Sequence, residues 1–106
     1  MVVHRFDVYL VELDPAVGSE IKKTRPCVII SPDEMNCLKT VLIAPMTTKG
    51  FDAPSRVKLQ FQEKSGLILL DQLRSVDKSR LVKKLGAVDA ETQKLIASTL
   101  VDMFEL

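Results

Sequence analysis

The sequence predicts a mainly β fold with one helix, an α+β arrangement in which a small antiparallel, barrel-like sheet of five to seven strands carries a C-terminal helix. Three observations predict it. Short runs rich in β-branched and aromatic residues alternate with clusters of Pro, Gly, Ser and Asp. The hydrophobic period lengthens from about two to about 3.6 residues after Val88. With 106 residues, 46% of them hydrophobic, the chain has material for one core but not two, so 1–106 is expected to be a single domain.

FDVYLVELD, Phe6 to Asp14, sets Val8, Leu10 and Glu12 on one face and Tyr9, Val11 and Leu13 on the other, a strand covered on both sides. Pro15 and Gly18 end it and open a long loop, PAVGSEIKKT, of the kind that often carries function in small domains. Pro26 begins the next strand, where a missing amide hydrogen does little harm. SPDEMN then reads as a single helical turn, with Ser31 as N-cap, Pro32 in the first helical position and Glu34 three residues after the cap. Thr40 to Met46 is a third strand, and TTKGFDAPS a polar connection. RVKLQF, Arg56 to Phe61, alternates strictly, with Val57, Leu59 and Phe61 inward. After an EKSG turn, Ser65 to Leu73 is continuous apolar strand material interrupted by Asp71 and Gln72, and Arg80 to Val88 is another candidate strand. Asp89 caps the final helix, whose apolar face takes Leu95 or Ile96, Thr99 or Leu100, Met103 and Phe104.

Several function classes lack their residues. The net charge is only +1, but four acids against one base after Val88 leave +4 on the preceding residues, a mild basic bias there. Cys27 and Cys37 lie ten residues apart without a C-x-x-C pattern and read as reduced thiols, not metal ligands. His4 is the single histidine, so no histidine pair exists for acid/base work or a metal site. P-loop, dinucleotide-binding and serine-hydrolase motifs are missing, and the carboxylates are scattered singly, unlike a two-metal nuclease centre. No cofactor or metal is expected. No signal-peptide pattern opens the chain and no apolar run approaches the ~20 residues of a bilayer span, so a cytoplasmic protein without membrane contact is expected.

Three places remain for chemistry. In KKTRP, proline holds Arg25 in extended backbone at a strand start, and a guanidinium there suits bidentate phosphate contact, although the stretch also reads as a solvated loop. In APMTTK, Thr47 or Thr48 comes near Arg25 if the second and third strands pair, although a Thr-Thr pair at a strand end is more often a turn cap. In LLDQL, Asp71 and Gln72 end a buried strand, where they either serve function or tie down a neighbouring loop.

DVYLVELDPAVGSEIKKTRPCVIIS, APMTT and LILLDQLRSVDKSRL together resemble, in order and across essentially the whole chain, the MazF/PemK-type toxin endoribonucleases. The resemblance implies a plasmid-maintenance-toxin fold, an SH3-like barrel, usually a homodimer. It implies a sequence-selective, metal-independent mRNA interferase that cuts single-stranded RNA through its own 2′-hydroxyl, leaving a 2′,3′-cyclic phosphate and a 5′-hydroxyl. A cognate antitoxin protein is the implied partner. Arg25 matches the arginine that stabilises the transition-state phosphate, and Thr47 the catalytic hydroxyl position. Ser19, Glu20, Asp71 and Gln72 match RNA-contacting or site-shaping positions, and Lys22, Lys23 and Thr48 join them as RNA-binding candidates. Ser19 replaces a histidine that some members use in proton transfer, which leaves the general base unassigned. Phe6 stands where the family usually has glycine, and Ile21 where it often has glutamine.

Two other classes compete with this expectation. A gyrase-poisoning toxin of the related branch would depend on the C-terminal helix, not on Arg25 with Thr47. An inactive RNA-binding homologue would bind without cleaving.

Overall fold

A computed structural model describes residues 2–106. Its organising element is the third strand, β3 (Thr40–Thr47), five of whose eight residues are buried. One edge of β3 pairs with β2 (Thr24–Ile29), which pairs in turn with β1 (Asp7–Glu12), and β1 with β7 (Leu81–Ala87), all antiparallel. The other edge of β3 is shared. Its first half pairs with β6 (Arg74–Asp77), and its last residues with β5 (Lys64–Leu69), which carries β4 (Arg56–Phe61) as the outer strand. Seven strands thus make one curled antiparallel sheet, a half-barrel with β4 and β7 at its edges.

The strand material expected from Ser65 to Leu73 therefore ends at Leu69, and a separate strand, β6, begins only at Arg74. A 3-10 turn at Leu70–Gln72 lies between the two and swings the chain from one end of β3 to the other. Leu70 is fully buried at this joint, so hydrophobicity continues while the strand does not. The β4–β5 hairpin also turns two residues early, at Gln62 and Glu63, both with positive φ as a two-residue primed turn needs. SPDEMN forms successive i to i+3 turns and no helix. Ser31 is not a helix cap, because its hydroxyl donates to Asn36 Oδ1 at 2.6 Å and accepts the Leu42 amide at 3.1 Å, stitching the turns to β3.

The two faces of β1 enter different cores, as its alternation requires. Val8 joins Val28, Ala44, Ile68 and Ile96 inside the half-barrel, whereas Tyr9, Val11 and Leu13 join Cys27, Ile29, Ile43 and Val76 on the other face. Register shifts between β1 and β7 curl that edge, and Gly86 lets Phe61 from the far edge approach to 3.3 Å of where a Cβ would stand. Helix α1 (Ala90–Phe104) closes the open side, its first turn capped by Asp89, which accepts the Thr92 amide at 2.8 Å. Ile96 is fully buried, with Leu100 and Met103 partly so. Phe104, expected inward, is exposed: eight residues on from Ile96 it stands about 80° round the helix, past the edge of the buried stripe. Among the described residues no helix is long and apolar enough to cross a membrane.

Phe6 is one of four non-glycine residues with positive φ among the described residues. Its φ of 73° lies in the left-handed region, where a side chain costs about 1–2 kcal/mol, yet its amide donates to Ile29 O and its carbonyl accepts from Val88. Those bonds and its packing on the core hold it there. His4, the single histidine, lies within 3.0 Å of Asp33 at the surface and is remote from any of the residues described next.

Candidate RNA-binding groove

Arg25 sits in β2 opposite Val11 of β1, and Cys27 two residues on is opposite Pro45 of β3. Continuing the β2–β3 register by two residues sets Arg25 across from Thr47. Both line one groove of about 230 Å³, together with Thr48, Phe61, Lys64 and Gly66. The pairing condition attached to the two threonines in the sequence is thus met, and Thr47 is the nearer in register.

The donors in this groove are arranged, not merely present. Arg25 Nε donates to Lys22 O at 3.0 Å, which fixes the plane of the guanidinium against its own loop. Among the described residues no carboxylate pairs with it. Thr47 Oγ1 accepts the Lys49 amide at 3.1 Å, so the turn-cap reading of the threonine is realised. A hydroxyl whose oxygen is already accepting keeps its proton to donate, and that proton is free to meet an anionic oxygen. Behind Thr47 the backbone of β5 comes close: a Cβ on Gly66 would stand 2.7 Å from Thr47 O. Only glycine allows this approach without moving the threonine.

The remaining candidates divide. Lys22 and Lys23 are exposed beside Arg25, Lys23 at a φ of 70° with its carbonyl accepting the Leu13 amide. Ser19 and Glu20 are exposed in the β1–β2 loop, where Glu20 Oε1 accepts the Val17 amide at 2.7 Å. Gln72 Oε1 accepts the Ile21 amide at 2.8 Å, so it ties down that loop. Glu20, Ile21, Asp71, Gln72 and Arg74 border a second cleft of about 200 Å³. Ile21 packs partly against the second core, which is why an apolar residue fits there.

Asp71 is held elsewhere. Its carboxylate takes a fork of two bonds from Arg56, Nε at 3.1 Å and Nη2 at 3.2 Å, and a third from Ser55 at 3.2 Å. The Arg56 guanidinium holds its carboxyl below the usual range, against the opposing effect of burial. Reading the strand ends alone missed Arg56 altogether, although it opens β4 much as Arg25 opens β2. Lys64, Ser65 and Gly66 were hidden in the expected turn. Cys27, next but one to Arg25, is a core residue: burial pushes its thiol up to about 12, so it is not a thiolate nucleophile at neutral pH. Among the described residues no three His, Cys, Asp or Glu side chains converge to hold a metal ion.

Comparison with known proteins places this arrangement. The chain is 35% identical over 107 residues to endoribonuclease EndoA of Bacillus subtilis, covering 94% of this chain and 92% of the relative. It is 38% identical over 90 residues to endoribonuclease MazF of Staphylococcus epidermidis, covering 78% and 75% of the two chains. The crystal structure of MazF from Deinococcus radiodurans superposes with a TM-score of 0.86 at 24% identity, over 100% of this chain and 99% of that one, a likeness of fold. The model of the PemK-like, MazF-like toxins of type II toxin–antitoxin systems matches residues 4–104, and the chain belongs to that family.

Proposed function

We propose that this chain is a toxin endoribonuclease that cleaves single-stranded RNA at selected sequences, without a metal ion, through the RNA's own 2′-hydroxyl. The observation that carries the reading is the placement of Arg25 and Thr47 across two paired strands in one groove. Family membership and the two endoribonucleases at 35% and 38% identity support the activity itself.

The chemistry follows from what these groups can do. A phosphodiester in the groove meets the Arg25 guanidinium, which stays cationic, and the Thr47 hydroxyl proton. As the 2′-oxygen attacks phosphorus and the bond to the 5′-oxygen breaks, negative charge grows on the non-bridging oxygens. Fixed donors aimed there lower the barrier, typically by a factor of about 10² to 10³ per donor. The 2′-hydroxyl gives up its proton as it attacks and the departing 5′-oxygen takes one up, so the products are a 2′,3′-cyclic phosphate and a 5′-hydroxyl with no net proton consumed. No protein nucleophile is required, consistent with a protonated, buried Cys27. Lys22, Lys23 and Lys64 draw the RNA backbone in, and the β1–β2 loop with Ser19 and Glu20 reads bases through hydrogen bonds.

The same reading includes a cognate antitoxin, whose acidic segment would occupy the groove in place of RNA. It also includes a homodimer, for which the exposed Leu95, Val101 and Phe104 of α1 offer apolar surface. The test is incubation of purified protein with mixed RNA in EDTA. Cleavage that Arg25→Ala with Thr47→Ala abolishes is expected. An RNA left whole by the wild-type protein, or cleavage that survives both substitutions, sinks the reading.

A further inference from the structure

Phe51 is the exposed aromatic of the β3–β4 loop, 72% open to solvent in an otherwise polar stretch, and it joins neither core. An apolar ring left this open forgoes the stabilisation of burial. Yet the ring is firmly held. The Arg56 guanidinium carbon lies 4.6 Å from the ring centroid, and Arg56 Nη1 donates to Phe51 O at 3.1 Å. Arg56 is itself gripped by the Asp71 fork, and its side chain is only 13% exposed. One face of the ring is therefore backed by a cation that Asp71 holds, while the residue as a whole stays open to solvent.

The loop that carries the ring also approaches the groove of Arg25 and Thr47. The Cβ position of Gly50 lies 3.7 Å from both Arg56 Nη1 and Thr47 Cγ2, so those two atoms are at most 7.4 Å apart. An open groove bordered by Gly50, Asp52 and Lys58 reaches Thr48 and Gly66, which also line the groove of Arg25 and Thr47.

We infer that Phe51 is a stacking platform for one unpaired nucleobase adjoining the cleaved phosphate, with Asp71 and Arg56 as the residues that position it. Single-stranded RNA is bound largely by stacking of splayed bases on aromatic rings, and every base offers a π face to such a ring. A guanidinium fixed behind the ring prevents its rotation out of the strand's path. This gives Asp71 an indirect role: it acts on RNA through Arg56 and Phe51.

The inference rests on the endoribonuclease reading, and the experiment separates the two. The probe is an RNA oligonucleotide that the wild-type protein cleaves, also made with a 2′-deoxy sugar at the cut so that binding is measured without cleavage. Phe51→Ala and Phe51→Leu should each weaken binding of the deoxy probe by about 5- to 150-fold, the range for loss of one stacked base. Phe51→Trp should restore it, and the rate at saturating RNA should stay near wild type in all three. Removing the base from one nucleotide beside the cut should weaken binding to the wild-type protein and have no further effect in Phe51→Ala. Wild-type affinity in Phe51→Ala overturns the inference while leaving cleavage intact, and if antitoxin binding alone weakens, the ring belongs to the protein partner. A loss in Phe51→Ala that no single base removal cancels also overturns it, as an effect on loop structure. An RNA pool left wholly uncut by the wild-type protein sinks the endoribonuclease reading first.

Discussion

Two arginines stand at strand starts in this sheet, and their surroundings make them opposites. Arg56 opens β4 with its guanidinium forked onto Asp71 and stacked on Phe51. Arg25 opens β2 with one bond to a backbone carbonyl and no carboxylate partner among the described residues. The same side chain is spent on architecture in one place and left available in the other. A cation already neutralised by a forked carboxylate gains little from a phosphate, whereas a fixed, unneutralised one gains much. The availability of the guanidinium, not the presence of an arginine, marks the groove proposed for the reaction.

Breaking each side of that contrast should give unlike results. Arg25→Ala is expected to lower the cleavage rate at saturating RNA by about 10² to 10³ while leaving thermal unfolding near wild type, because the removed group gives up one solvent-exposed hydrogen bond, to Lys22 O. Single-turnover kinetics beside a melting curve measures both. Arg56→Ala should do the reverse in emphasis, weakening RNA affinity through Phe51 and lowering the melting temperature, with the saturated rate less affected.

Gly66→Ala sharpens the comparison from behind the groove. Its new Cβ meets the Thr47 carbonyl at 2.7 Å, so either β5 or Thr47 must move. We expect a destabilisation of about 1–3 kcal/mol in denaturant titration and a fall in cleavage rate at saturating RNA, as the threonine hydroxyl leaves its aim. Phe6 offers a smaller effect, remote from both arginines. At a φ of 73°, Phe6→Gly should be more stable than Phe6→Ala by about 1 kcal/mol, the reverse of the usual order of those residues within a strand.

The smallest effect is electrostatic. Asp71 has a folded pKa below its ordinary 3.8, chiefly through the Arg56 hydrogen bonds. A depressed carboxyl contributes stability that is fully present above the unfolded value and lost as pH falls through the folded one. The stability difference between wild type and Asp71→Asn should therefore be constant from neutral pH to about 5 and shrink as pH falls through 3.8 and below. A difference that grows on acidification would contradict the fork.

Much of this was legible from residue order. The alternation of β1, β4 and the period of α1 placed them, since each buries a regular stripe. Arg25 and Thr47 were readable as candidates because proline fixes one and a strand end the other. What sequence could not carry was partnership. From sequence Asp71 reads equally as a functional carboxylate or a loop tie until β4 delivers Arg56 to it, and that pairing joins residues fifteen positions apart through a hairpin. The 3-10 turn at Leu70–Gln72 was hidden because its first residue, Leu70, is buried and prolongs the apolar run of β5 past the strand's end. Ser31 carried the signature of a helix cap, but Asn36 competed successfully for its hydroxyl.

The central claim is that Arg25 and Thr47 stabilise a phosphate attacked by the RNA's own 2′-hydroxyl. Its most direct measurement is mass spectrometry of the ends left on an oligonucleotide cut in EDTA, run beside the same oligonucleotide with a 2′-deoxy sugar at the cut. The account predicts a 2′,3′-cyclic phosphate, a 5′-hydroxyl and an intact deoxy strand. Cleavage of the deoxy strand, or a 5′-phosphate on the product, would contradict it.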